Sequence, residues 1–244
     1  MDAQNPLLTV IIPTLNEERY LPILLDSIAK QTFRDFEIIV ADSPKTTDRT
    51  REIALAHGAR VVEGGRPSAG RNAGAAAARG RVFLFFDADV VLPNERFLED
   101  TVREFVARGL DVATCRVSAL SERFDDKLFY NFYNVYSLAL ERVLPHAQGF
   151  CIYAKRSLHE AINGFDQEIR LAEDHEYARR GAHIGSFGFL KSQYIPVSMR
   201  RFERDGRLKT VTKYVLAEAY MLAMGPIKSD IFNYQWGHGK DREN

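Results

Sequence analysis

The chain has 244 residues, 45% hydrophobic and 27% charged, with 16 Gly and 9 Pro. That balance excludes disorder, collagen and fibre, and the length can bury a core without a disulfide staple. Lys plus Arg and Asp plus Glu are equal at 33 each, so no net field draws the molecule onto nucleic acid and anion recognition must be local.

The two cysteines, Cys115 and Cys151, lack metal-ligand spacing, which suits a reducing compartment and buried apolar filler rather than a zinc site. No apolar run reaches the roughly 18 residues of a spanning helix; the longest, near 82–92, is broken by Asp87 and Asp89. Residues 1–6 lack the basic start and apolar stretch of a signal peptide, so a cytoplasmic location is expected.

Residues 7–12 form a β-branched run ended by Pro13, and 17–31 carry Tyr20, Leu21, Leu24, Leu25 and Ile28 at helical spacing. The pair recurs as a strand over 36–41 and a helix over 49–57, followed by a short strand at 60–62. The Ala-rich 73–78 segment predicts a helix, and the apolar 81–86 segment a strand covered on both faces. Strands alternating with helices predict an α/β sheet whose ligand lies at the strands' carboxyl ends. After residue 93 the rhythm loosens. A helix over 94–107, a strand over 112–116 and an aromatic helix over about 123–143 precede a strand at 151–154. Helices at 155–163 and 173–181, an edge strand at 193–197, a terminal helix over 207–224 and a frayed polar tail from 237 complete the pattern.

The sharpest chemical feature is Phe85-Phe86-Asp87-Ala88-Asp89, directly after an apolar strand. In extended backbone the two carboxylates share a face, and a hard divalent cation bound also to a diphosphate relieves their repulsion. A solvated acidic turn is the alternative. Asp42 also ends a strand, placed to accept from a base or ribose, or from its own loop through an Asx turn with Ser43, Pro44 and Thr46. Gly70-Arg71-Asn72-Ala73-Gly74 reads as a loop before the Ala helix, either an anion site with Arg71 on a phosphate or a helix start with a surface Arg.

Four stretches in order carry a resemblance: Val10-Ile11-Ile12-Pro13-Thr14-Leu15-Asn16-Glu17, Asp42 with Thr46-Thr47-Asp48, Gly70 to Gly74, and Asp87-Ala88-Asp89. Together they resemble the nucleotide-sugar-binding half of family 2 glycosyltransferases with the GT-A fold. The resemblance implies a Rossmann-like, mainly parallel mixed α/β sheet flanked by helices. Its donor-binding half would be 1–92 and its acceptor half 93–205, with a C-terminal helix and tail over 206–244. It implies that Pro13, Thr14, Asn16, Glu17 and Asp42 cradle the base, while Gly70, Arg71, Asn72 and Ala88 complete the donor site. Asp87 would meet the ribose side and join Asp89 in holding Mg²⁺ or Mn²⁺ on the diphosphate. The family's acidic pair is here Ala41-Asp42, with Ser43-Pro44 in place of a common Gly-Ser, so the base is not named.

Glu173-Asp174 at the start of a helix is similar to the family's acceptor-side acidic pair, with Asp174 the implied general base beside Glu173. Acids at a helix N-terminus also serve the helix dipole alone. His175 reads first as an exposed helical residue, the alternatives being a metal ligand or a partner of the base. Arg200, Arg201, Arg204, Arg207, Lys209 and Lys213 form the most basic segment. Arg201 or Arg204 is expected on phosphate, the alternatives being an anionic acceptor, a membrane surface or a solvated face. Leu208, Val211, Val215, Ala219 and Leu222 are expected to face the core. Phe129, Tyr130, Phe132, Tyr133 and Tyr136 suit core packing or a homodimer interface over 124–143, with an acceptor platform as alternative.

A Gly-x-Ser-x-Gly elbow and a P-loop are both absent. The expected activity is metal-dependent, inverting transfer of one sugar from a nucleotide-diphosphate sugar to a hydroxyl or phosphate acceptor. That acceptor could include a lipid phosphate at the inner membrane face. The alternatives are a sugar-phosphate nucleotidyltransferase and a non-catalytic nucleotide-sugar-binding module.

Overall fold

The computed structural model describes residues 5–198, 202 and 205–231. The expectations for Arg200, Arg201 and Arg204 and for the tail from 237 therefore lie outside the described residues. In chain order the elements are β1 (Leu8–Thr14), α1 (Leu21–Ala29), β2 (Phe36–Asp42), α2 (Thr50–Ala56), β3 (Arg60–Glu63), α3 (Pro67–Ala77), β4 (Val82–Phe85) and α4 (Phe97–Ala107). The second half adds β5 (Val112–Leu120), α5 (Phe124–Ala139), β6 (Ile152–Lys155), α6 (Arg156–Ala161), α7 (Glu173–Ile184), β7 (Phe187–Ser198) and α8 (Arg207–Met224).

One seven-stranded sheet runs in the order β3-β2-β1-β4-β6-β5-β7. The strands β3, β2, β1 and β4 are mutually parallel, β6 is antiparallel to both β4 and β5, and β7 is parallel to β5 at the edge. Alternate side chains feed two cores, as strands buried on both faces require. Val10, Ile12, Leu84 and Phe86 pack with α1, α4 and α5 on one side. Ile11, Phe83 and Phe85 pack with α3, α6 and α7 on the other.

Strand β1 continues through Pro13, where the sequence suggested an end. The Ile11 carbonyl accepts from the Phe86 N–H toward β4, whereas the Thr14 carbonyl accepts from the Ser43 N–H toward β2. By that alternation Pro13 faces the side on which the β1–β4 register has already ended at Ile11 and Phe85. Its missing N–H costs no ladder bond.

The segment 70–74 is not a loop but the middle of α3, which starts six residues earlier than the alanines with Pro67 in its first turn. Gly70 and Gly74 serve packing. A Cβ at Gly74 would fall 2.3 Å from Ile11 Cγ2, and one at Gly70 would fall 2.9 Å from Pro13 Cβ. The helix backbone therefore lies directly on β1.

Helix α8 also differs from expectation, although its bounds agree. Thr210, Ala217 and Met221 turn inward, and Leu208, Val215 and Leu222 are exposed. Met221 and Ala217 join Leu171 and Ile227 in a small satellite core. No helix among the described residues is long and apolar enough to cross a membrane.

Candidate functional site

Because β1, β2 and β4 are parallel, the loops after Thr14, Asp42 and Phe85 emerge at one edge of the sheet. A cavity of about 1680 Å³ opens there. Its lining includes Pro13, Asn16, Glu17, Arg71, Asp87, Ala88 and Asp89, then Glu173, Asp174 and His175 at the head of α7, with Phe129, Phe132, Tyr133 and Tyr136 from α5.

The first two loops hold each other. Asn16 is left-handed at φ 55°, a conformation its short amide tolerates, and its Oδ1 accepts from the Thr47 N–H at 2.8 Å. The Glu17 N–H donates to Thr50 Oγ1 at 2.8 Å, and the Glu18 N–H to Asp48 Oδ2 at 2.9 Å. Asp42 is fully buried. It accepts from Thr14 Oγ1 and Thr46 Oγ1 at 2.7 Å each and from Arg51 Nε at 2.6 Å. Thr14 and Asp42 thus brace the loops from behind, and neither lines the cavity. Gly70 and Asn72 also lie outside the lining. Asn72 pairs through both amide atoms with the backbone of Phe165, at 2.8 Å each way.

Arg71, only 2% exposed, is the centre of the site rather than a surface cation. Its Nη1 donates to Glu173 Oε1 at 2.8 Å, and its Nη2 to Asp87 Oδ1 at 2.9 Å and to the Gly149 carbonyl at 3.2 Å. Burial works against its charge, yet Asp87, Glu173 and Asp174 hold its pKa above the ordinary arginine value. The acids outnumber it. Surrounding protein pushes Asp87 up to about 6, opposed by Arg71 and reinforced by repulsion from Asp89, Glu173 and Asp174. An all-oxygen set with surplus negative charge fits a hard divalent cation such as Mg²⁺ or Mn²⁺, and Asp89 and Asp87 are the carboxylates that would hold it.

Asp174 is held at both oxygens: Oδ2 accepts from the Gly149 N–H at 2.6 Å and Oδ1 from the His175 N–H at 2.9 Å. Ala172, just before it, sits at φ 61°, which costs a residue with a Cβ about 1–2 kcal/mol. The Arg170 N–H to Ile227 carbonyl bond at 2.8 Å and the Leu171–Ile227 bridge fix the chain on the approach to that turn.

His175 is not the exposed residue its sequence context suggests. It turns inward against His146, ring centroids 4.9 Å apart, with its Nδ1 3.6 Å from Glu218 Oε2. Burial alone would lower its pKa, but Asp174 and Glu218 outweigh burial and raise it. Glu218, on α8, is held well below the usual carboxylate range: burial opposes this, and His146, His175 and Arg179 prevail. In the basic segment, Arg207 pairs with Asp126 at 2.8 Å. Among the aromatic residues, Tyr130 packs into the core while Phe132 is exposed.

Sequence reasoning missed Gly149, His146 and Glu218. Only Gly149 carried a signal, a glycine in a turn just before a strand, where close backbone approach is expected. A Cβ there would lie 2.5 Å from Arg71 Nη2.

Residues 9–163 match the family model for glycosyl transferase family 2, more than half of the chain. The poly(ribitol-phosphate) β-N-acetylglucosaminyltransferase TarS of Staphylococcus aureus is 28% identical over 177 residues, covering 68% of this chain and 30% of TarS. The glycosyltransferase EpsJ of Bacillus subtilis is 31% identical over 194 residues, covering 69% of this chain and 54% of EpsJ. The chain thus spans about a third to a half of the length of these relatives.

Among solved structures, the mannosyltransferase PcManGT of Pyrobaculum calidifontis, in complex with GDP-Man and Mn²⁺, superposes with a TM-score of 0.68. It is 23% identical, and the match covers 91% of this chain and 72% of that one. TarS 1–349 with UDP-GlcNAc gives 0.64 at 22% identity, covering 78% and 58%. The fold is accordingly the GT-A glycosyltransferase fold. With the matched segment running from β1 past the Asp87–Asp89 turn to the end of α6, the chain belongs to glycosyl transferase family 2.

Proposed function

We propose that the chain transfers one sugar from a nucleotide-diphosphate sugar to an acceptor oxygen by a single inverting displacement, assisted by a divalent cation. The observation that carries this reading is the buried Arg71, which gathers Asp87 and Glu173 directly, and Asp174 through Gly149, onto one cavity. Support for the donor class comes from the fold neighbours crystallised with UDP-GlcNAc and with GDP-Man.

In this reading Pro13, Asn16 and Glu17 line the place of the nucleoside, braced from behind by Thr14 and Asp42. Asp89 and Asp87 would hold the cation, which would supply charge neutralisation at the departing diphosphate. Asp174 takes the acceptor hydroxyl proton as the new bond to the anomeric carbon forms and the carbon–oxygen bond to the diphosphate breaks. The two N–H groups on Asp174 fix the orientation of its carboxylate and leave lone pairs for the acceptor. Glu173, tied to Arg71, positions the helix start that carries Asp174. One base and one displacement leave the anomeric configuration inverted.

Asp174→Asn should lower transfer by about 10²–10⁴-fold, the usual contribution of a general base, while calorimetric titration with UDP- and GDP-sugars in Mn²⁺ shows donor affinity unchanged. Transfer near the wild-type rate would remove Asp174 as base. Unchanged donor affinity in Asp89→Ala would remove the cation assignment.

A further inference from the structure

Buried polar atoms without partners are uncommon in folded proteins, and a group of them in one place points to a missing ligand. Among the described residues nine buried side-chain nitrogen or oxygen atoms make no hydrogen bond, and four of them belong to one cluster. They are His146 Nδ1, His175 Nδ1, Glu218 Oε2 and Arg179 Nε. His146 is 2% exposed. All four residues come from separate parts of the chain or different turns: the loop after α5, the first two turns of α7, and the middle of α8.

We propose that His146, His175 and Glu218 form a site for a borderline divalent transition metal of the Zn²⁺ or Co²⁺ class, separate from the Asp87–Asp89 pair. Each residue offers one ligand atom, and the three atoms lie within 4.8 Å of one another. Glu218 Oε1 stands 3.3 Å from His146 Nε2, and Glu218 Oε2 stands 3.6 Å from His175 Nδ1. The longer separation is no hydrogen bond. It is close to the spacing of two ligands on one tetrahedral zinc, about 3.4 Å for bonds of about 2.0–2.1 Å.

The donor chemistry separates this site from the one at Asp87 and Asp89. Two imidazoles and one carboxylate suit Zn²⁺, Co²⁺ or Ni²⁺, whereas carboxylates alone suit Mg²⁺ or Mn²⁺. Arg179 Nη2, 2.6 Å from Glu218 Oε1, is the outer partner that orients the ligating carboxylate and leaves Oε2 for the metal. Three protein ligands leave a fourth position, as in zinc sites that act on substrate. All three side chains line the large cavity, and His175 directly follows Asp174. The fourth position therefore opens onto the proposed acceptor region, where water or an acceptor oxygen completes the coordination.

The test is titration of chelator-stripped protein with Co²⁺ in the absence of any nucleotide, followed by visible absorption and by calorimetry. Wild type and Asp89→Asn should each take up one equivalent with the strong ligand-field bands of low coordination. His146→Gln and Glu218→Gln should lose affinity by more than about 100-fold, beyond the 10–100-fold that loss of an outer partner costs. Glu218 also holds Arg179, so the metal-free melting temperature of each variant is measured first, and His146→Gln serves if Glu218→Gln does not fold. No uptake by wild type, uptake indifferent to both substitutions, or uptake abolished by Asp89→Asn would each overturn the site. Since no nucleotide or acceptor is present, the outcome is independent of the transfer reaction.

Discussion

Replacing Arg71 with Met keeps most of the apolar stem and removes the charge that faces Asp87, Glu173 and the Gly149 carbonyl together. Hydrogen bonds between charged groups contribute about 1.5–3 kcal/mol each, and breaking a buried pair costs about 3–5 kcal/mol. Asp87 is 42% exposed at its side chain and Glu173 only 18%, so the Asp87 bond is discounted for solvent and the expected loss is about 3 kcal/mol at pH 8. The pH dependence separates charge from packing. With Arg71 present, Asp87 already titrates at about 6, above the ordinary 3.8 of an unfolded aspartate. The folded state therefore binds more protons than the unfolded state between these values, and this group adds stability as pH falls. Without Arg71 the Asp87 pKa rises further, so the variant gains more on acidification than wild type does. Urea denaturation at pH 8, 7, 6 and 5 should show the deficit narrowing by about 1.4 kcal/mol for each unit of extra shift. Background titrations common to both proteins cancel in the difference. A deficit of constant size across that range would mean that Arg71 acts only as filler.

Two further outcomes test the fold around the site. His159 is buried against Phe83 and Phe85, with Nδ1 2.9 Å from the Tyr177 hydroxyl, and burial lowers its pKa from 6.5 to about 4. Between pH 6.5 and 4 the unfolded chain binds the proton that the fold excludes, so stability falls with pH by about 3 kcal/mol from this group. That slope should vanish from the difference curve against His159→Gln in chemical denaturation, and a persisting slope would assign it to another residue. Gly74→Ala places a methyl group 2.3 Å from Ile11 Cγ2. Overpacking of about 1–3 kcal/mol, offset by a helix-propensity gain of about 1 kcal/mol, should leave a net loss near 1 kcal/mol. A raised Tm would show that α3 has room to move off β1.

Much of the first half was legible because hydrophobic period and turn chemistry agree there. The 81–86 run, apolar throughout, is a strand buried on both faces, and the acids that follow it emerge at the sheet edge that parallel pairing predicts. Glu173 and Asp174 do begin a helix, and the terminal helix has the bounds its periodicity suggested. The exceptions have local causes. Gly70 and Gly74 read as loop formers, but their missing Cβ atoms are spent on contact with β1. Leu208, Val215 and Leu222 looked like a core stripe, yet smaller inward residues, Thr210 and Ala217, let α8 approach α7 closely enough for Glu218 to reach Arg179. Periodicity carries no information about that distance. The same holds for Arg71 and Glu173, which meet across 102 positions of sequence, and for the two cysteines, whose sulfurs lie 3.5 Å apart on β5 and beside β6. His175 turned inward because of a partner on another helix, which no local pattern reveals.

The reversed strand β6 has a consequence for how the molecule can be divided. It is borrowed from beyond residue 150, yet it seals the flank of β4 along Val82 to Phe85. A fragment ending after α4 would present an open row of backbone donors and acceptors flanked by Phe83 and Phe85 stripped of their cover, a surface that invites edge-to-edge stacking with its copies. The portion from β1 to α4 is therefore not a portable module. Grafting it elsewhere would require bringing along the returning strand that insulates it.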